Sequence, residues 1–420
     1  MKSKPEMCFI FLLAITVLLI PVVSANASLG VHSNFPTLHI SPLLDNFQHG
    51  CQCRTTTFII HPGTGTISSA LSNTKDGDIW VLLKGTYYDN VVINKSISIN
   101  GAGPDGTFVD GTGLPGSVFT IEPTKKVVLA AMTIQNGAGT NLKGLHAGGG
   151  ICNSGTLTLD HVVVTDNNNL STIMGGGIYN GGTLNLNNVL IMNNEAMYGA
   201  GVYNDGSGGT AIVNMNRCSS ITGNEAQSSG SGIYNIAGTI NMNKDSSITN
   251  NTATWGGGIL NDGAGYLGAG HTTIVDMNRG SSIAYNTAKN DGGGIYNSGD
   301  GGTVTINMNR CSSITSNIAD YYGGGIYNDG QHGTATISMN QGSSITSNIA
   351  DYYGGGIYND GDHGIATVNM NKGSSITHNT AKNHKPSGGG VYSTNNGGTA
   401  TLNQKPCSSI ICNTPDNIAS

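Results

Sequence analysis

Charge is scarce in this chain. Asp, Glu, Lys and Arg together make up 10% of its 420 residues, against roughly a quarter in an ordinary soluble domain. Gly, Asn, Ser and Thr supply solubility instead. The net charge of −6 is too small to steer a partner over distance. Arginine occurs four times, at Arg54, Arg217, Arg279 and Arg310. The last three share one repeat position and read as rim residues of stacked turns, so no nucleic-acid partner is expected. No apolar run beyond Val23 is long enough to cross a bilayer, and no membrane span is expected in the mature chain. Helical text is missing too, since no repeat holds ten residues with a 3.6 period. Tight His and Cys clusters are wanting. Cys51-x-Cys53 beside His49 is the nearest approach to a zinc set, and the turns hold few oxygen ligands for calcium. No metal or cofactor is expected.

What is present is repetition. Gly-Gly-Gly-Ile-Tyr-Asn stands at Gly175 to Asn180, Gly292 to Asn297, Gly323 to Asn328 and Gly354 to Asn359. Looser copies begin at Gly148, Gly199, Gly230, Gly256 and Gly388, and the starts are 24 to 36 residues apart, with 31 recurring three times. Such a period means stacked units that contact their neighbours. Each unit holds three short extended pieces. In Thr334 to Asn340, alternation puts Ala335, Ile337 and Met339 on one face and Thr336 and Ser338 on the other. Strand text broken by Gly, Asn and Asp describes one coil of a parallel β-helix. Met215, Met242, Met277, Met308, Met339 and Met370 then line the interior, one per coil. After each Ile-x-x comes an asparagine, from Asn224 to Asn379, positioned for a ladder of amides along the stack. The glycines are expected at corners or close backbone approaches.

The pairing of Gly-Gly-small-(Ile/Val)-Tyr with Ile-Thr-x-Asn resembles the repeat region of the chlamydial polymorphic outer-membrane proteins. More broadly it resembles right-handed parallel β-helix repeat proteins with the pectin-lyase-like fold. The likeness covers Gly148 to Asn413. Ile stands here where that family's second motif has Phe, and no C-terminal membrane-barrel segment is read before Ser420. The resemblance implies an all-β, right-handed parallel β-helix of about 11–12 coils with an N-terminal cap.

The expected organisation is a signal peptide over residues 1–27 and a loose arm over 28–54. The cap and first coils follow over 55–147, and Gly-rich β-helix repeats over 148–420. Lys2 and Lys4, the apolar run from Cys8 to Val23 and Ala25-Asn26-Ala27 carry the secretory reading. Ile67 to Leu71 reads as a short helix covering the first coil. Secretion permits disulfides. Seven cysteines follow the signal, from Cys51 to Cys412. They read as buried thiols, with room for one local bridge across a turn between Cys407 and Cys412, and the sequence leaves the pairing open.

The functional expectation is a secreted, cell-surface β-helix rod, adhesin-like or structural, with surface glycans or other cell-surface proteins as partners. Its candidate ligand-binding row is Tyr179, Tyr203, Tyr234, Tyr296, Tyr327, Tyr358 and Tyr392. Each Tyr follows an inward Ile, so alternation sends it outward. The rings either stack on sugars or stack on one another and stabilise the rod. A second reading is a polysaccharide lyase or hydrolase of the pectin-lyase fold class, with Asp360, Asp362 and His363 as the densest polar cluster. Against it, Cys311 to Gln341 matches Gly342 to Lys372 at 25 of 31 positions. Duplicating a coil disrupts a unique active site but merely lengthens a binding rod. No catalytic residue is therefore assigned. An ice-binding solenoid is the third reading, from Thr303-Val304-Thr305 and Thr334-Ala335-Thr336.

Overall fold

The computed structural model describes residues 55–168, 172–264, 270–382 and 386–420. These belong to the unit Asp45–Ser420. The signal peptide, the arm and the Cys51-x-Cys53 pair lie outside the described residues.

One coil shows how the repeat text becomes structure. Ile318–Ala319 is a short strand, the glycine run turns the chain, and Ile326–Asp329, Thr334–Met339 and Ser344–Thr346 follow as strands. In Thr334–Met339 the alternation holds: Ala335, Ile337 and Met339 are fully buried and the residues between them half-buried. The next coil lies directly on this one in parallel register, with Ile326 beside Ile357, Met339 beside Met370 and Ser344 beside Ser375. Each strand thus finds its backbone partners in the coils on either side.

Stacking builds three ladders of 24, 10 and 12 strands. The twelve-stranded ladder carries one strand per coil, from Val91–Ile93 to Ile418–Ala419. The ten-stranded ladder opens only at Thr140–Leu142, which pairs antiparallel with Leu145–Ala147. The first rungs therefore lack this third side, and the all-β parallel solenoid has about ten complete turns. The expected helix forms as Thr66–Ala70 with a 3-10 turn at Leu71–Asn73. Its Ile67 is buried, and the Asp89 carboxylate accepts the Ile67 and Ser68 N–H groups at 2.9 and 3.0 Å. No helix among the described residues is long and apolar enough to cross a membrane.

One continuous apolar core runs from Phe58 to Ile410, with all six repeat methionines fully buried. Inside it run two asparagine ladders. In the expected one, Asn286 donates to Asn317 and Asn317 to Asn348, both at 3.0 Å. The acceptor oxygen of Asn348 also takes the Asn317 N–H, and the second amide hydrogen of Asn317 reaches the Ile283 carbonyl at 3.1 Å. A fully buried amide is thereby satisfied on every side. The second ladder uses the asparagine of Gly-Ile-Tyr-Asn, with Asn297 to Asn328 and Asn328 to Asn359 both at 2.8 Å. Of the glycines, Gly323 sits at φ +64°, while a Cβ on Gly324 would collide with the carbonyl oxygens of Ile349 and Gly355 in the next coil.

The cysteines differ from expectation. Cys152, Cys311, Cys407 and Cys412 are free thiols, so Cys407 and Cys412 are not bridged. Of the described cysteines only Cys152 is buried. Cys218, Cys311 and Cys407 occupy a turn position with φ of 61°, 59° and 64°, which carries the side chain away from the core.

Candidate functional site

The tyrosine row lies on the twelve-stranded ladder. Tyr179 pairs with Tyr203 and Tyr203 with Tyr234, and Tyr296, Tyr327, Tyr358 and Tyr392 follow in register. Leu260 takes the intervening rung and divides the row in two. All seven rings point away from the core, yet each is half-buried. They lie face to face: Tyr203 and Tyr234 have centroids 4.9 Å apart at 12°, and Tyr327 and Tyr358 5.0 Å at 7°. Tyr296 meets Tyr327 edge-on at 4.8 Å.

Four of these hydroxyls are held by aspartates. The residue two places after the row position closes the turn, and it is Asp after Tyr203, Leu260, Tyr327 and Tyr358. Asp205, Asp262, Asp329 and Asp360 each accept a backbone N–H of their own turn on Oδ1, at 2.8–3.0 Å. On Oδ2 each accepts the tyrosine hydroxyl of an adjoining coil: Tyr179 at 2.8 Å, Tyr234 at 2.6 Å, and Tyr296 and Tyr327 at 3.2 Å. The device braces the stack. Burial pushes the hydroxyls of Tyr179, Tyr234, Tyr327 and Tyr358 well up, with the neighbouring carboxylates adding to it, so they stay neutral donors. Burial also raises the Asp329 carboxyl to about 6, and the charges of Asp360 and Asp362 push it the same way.

A second aromatic column stands beside this row. The residues just before each glycine run align, so Tyr322 bridges to Tyr353, and Ser229 to Trp255 lower in the stack. Tyr321 stacks on Tyr352 at 5.3 Å and 12°. Tyr322 lies 4.9 Å from Tyr358, and Tyr353 lies 4.6 Å from Tyr392. The result is one aromatic surface two to three rings wide, with Tyr321 45% exposed. At the Tyr322 position one coil earlier stands Asp291, whose Oδ1 accepts the Tyr322 N–H at 3.1 Å. Burial pushes the Asp291 carboxyl up to about 6, and the charge of Asp329 adds to it. Sequence reading found the inner tyrosine row and missed Tyr321, Tyr322, Tyr352, Tyr353 and Asp291. The available signal was the doubled Tyr-Tyr directly ahead of two glycine runs.

No protein-family model matches the chain, and no curated protein does. Among solved structures it is similar to pectate lyase Pel9A, at 10% identity and a TM-score of 0.37, over 85% of this chain and 79% of that one.

The remaining candidates are structural in their contacts. Asp362 accepts from Asn396 at 3.0 Å and meets the exposed His363 ring at 2.6 Å, while His363 stacks on His332 at 5.5 Å. Among the described residues no three His, Cys, Asp or Glu side chains are grouped to hold a metal.

Proposed function

We propose that the chain acts as an adhesin-like binding rod that takes glycan chains on the aromatic surface around Tyr321, Tyr322, Tyr352 and Tyr353. The observation that carries this reading is the pair of stacked columns beside a carboxylate, half-buried and with Tyr321 exposed at the outer edge. Flat rings fit the apolar faces of sugar rings, and Asp291 offers an acceptor for hydroxyl groups. The inner row, braced through its hydroxyls, serves as the platform beneath. A glycan array on the secreted protein, followed by titration of the best ligand, tests it. Replacing Tyr321 and Tyr352 by Ala should abolish most binding and leave the melting temperature nearly unchanged. Full binding by that folded variant would refute the assignment.

One observation favours a second reading as a polysaccharide hydrolase. Asp291, Asp329 and Asp360 stand on one face, close enough for their charges to interact, and two of them are raised into the range useful to a general acid. Both oxygens of Asp329 and Asp360 are engaged in turns and tyrosine hydroxyls, which favours the binding role. Incubation with acidic and neutral polysaccharides should release no new reducing ends. Release that disappears in Asp291→Asn would replace the binding reading with the hydrolytic one.

A further inference from the structure

We propose that a different edge of the solenoid, the turn after each core methionine, forms a linear cationic surface for an anionic polysaccharide. The six methionines from Met215 to Met370 are in strict parallel register. Two residues beyond each one stand Arg217, Lys244, Arg279, Arg310, Gln341 and Lys372. Five of six successive coils thus put a cation at the same point, in a chain with only 18 Lys and Arg. The turn is the same each time. Ser246, Ser281, Ser312 and Ser343 donate their N–H to the residue following the methionine at 2.9–3.1 Å. The position after the cation has positive φ, as in Asp245 at 60° and Cys311 at 59°. All six side chains are exposed. At about 4.8 Å per coil the row extends over roughly 24 Å.

The cations are largely uncompensated. Asp245 lies 4.0 Å from Arg217 and 3.6 Å from Lys244. Arg279, Arg310 and Lys372 have no ion-pair partner among the described residues. Beside the cations runs a third asparagine ladder, half-buried rather than internal. In it Asn278 donates to Asn243, Asn309 to Asn278 and Asn340 to Asn309, each at 3.1 Å. An amide has two N–H donors and two acceptor sites. The ladder uses one of each and leaves the others for sugar hydroxyls. A row of charges flanked by amides fits a chain that alternates carboxylate or sulfate with hydroxyl. Single-stranded nucleic acid needs bases stacked on aromatic rings between the charges, and here the tyrosines lie on a different ladder. This proposal does not depend on the aromatic surface.

Gln341 shows that glutamine fits the turn, which makes the test clean. The full-length protein should bind a polyuronate of defined length in low salt, ignore dextran, and lose affinity as salt rises. Changing Arg279, Arg310 and Lys372 together to Gln should weaken polyuronate binding by about tenfold or more without shifting the melting temperature. Gln341→Arg fills the gap and should tighten binding severalfold. The Tyr321 and Tyr352 variant should bind polyuronate normally. Unchanged affinity in the triple variant overturns the proposal. So does failure of the wild type to bind, or tighter binding to an oligodeoxynucleotide of equal charge.

Discussion

Asp329 serves two elements with one carboxylate, holding its own turn through Gln331 and the previous coil through Tyr296. Its burial has a measurable consequence. Asp291 and Asp329 both stand near 6 in the fold, against 3.8 when exposed. A carboxyl held above its unfolded value keeps its proton more tightly when folded. Folding therefore takes up protons between about pH 4 and pH 6, and stability falls as pH rises through that window. Unfolding free energy should therefore fall from about pH 4 to pH 6, by an amount on the order of 2 kcal/mol for each group, and the melting temperature with it. Asp291→Asn should flatten this profile; an equally steep one would show that the carboxyl is not responsible. Asp110 has the opposite sign: burial raises it, but hydrogen bonds from Thr112, Gln135 and Asn136 outweigh that and lower it, so its contribution is lost only in stronger acid. Tyr327→Phe removes the bond to Asp360 and should cost about 1 kcal/mol in denaturant unfolding. At this scale the sequence was partly legible. Strand alternation placed the inner tyrosines. It said nothing of Tyr321 and Asp291, which lie at the corner before the glycine run, where side-chain direction follows backbone turns rather than a two-residue period.

The glycine run and the asparagine ladders do most to keep each coil flat on the next. Gly324→Ala would drive a methyl into the Ile349 carbonyl, and no flexible side chain is there to move aside. Gly301, at φ +75° with open space around it, bears only the backbone cost of about 1–2 kcal/mol. Thermal melts of the two alanine variants should therefore differ clearly, with Gly324→Ala the less stable; equal losses would mean that the stack yields at the corner. The elements themselves were legible in the repeat text. Thr334–Met339 and the buried methionines are where alternation puts them, and the short helix falls at Thr66–Ala70. The second internal ladder, Asn297 to Asn359, was less so, because an asparagine after an outward tyrosine reads equally well as turn text. Only the register of neighbouring coils turns it inward. The Cys407–Cys412 bridge that the sequence left open does not form, for a related reason. Spacing along the chain does not reveal that both residues occupy corners with positive φ, at 64° and 58°.

Across the whole solenoid, the near-identity of successive coils makes length adjustable. Removing Gly342 to Lys372 joins Gln341 to Gly373 and gives the following coil neighbours of the same type at 25 of 31 positions. That shortened protein should fold, keep its strand-dominated circular dichroism and melt within a few degrees of the parent, since repeat stability sums over nearest-neighbour interfaces. Collapse to an unfolded chain would show that the two duplicated coils are not equivalent. The same sameness bears on motion. The tyrosine, asparagine and cation rows all advance by one coil at a time, so a periodic chain lying along any of them meets nearly the same neighbours after a shift of one step. Its positions are close to degenerate. A polymer bound as proposed above would trade registers by sliding lengthwise without letting go, and its residence time would grow with the number of coils it spans. Leu260 and Gln341, where two of the rows are broken, then act as stops on an otherwise continuous track.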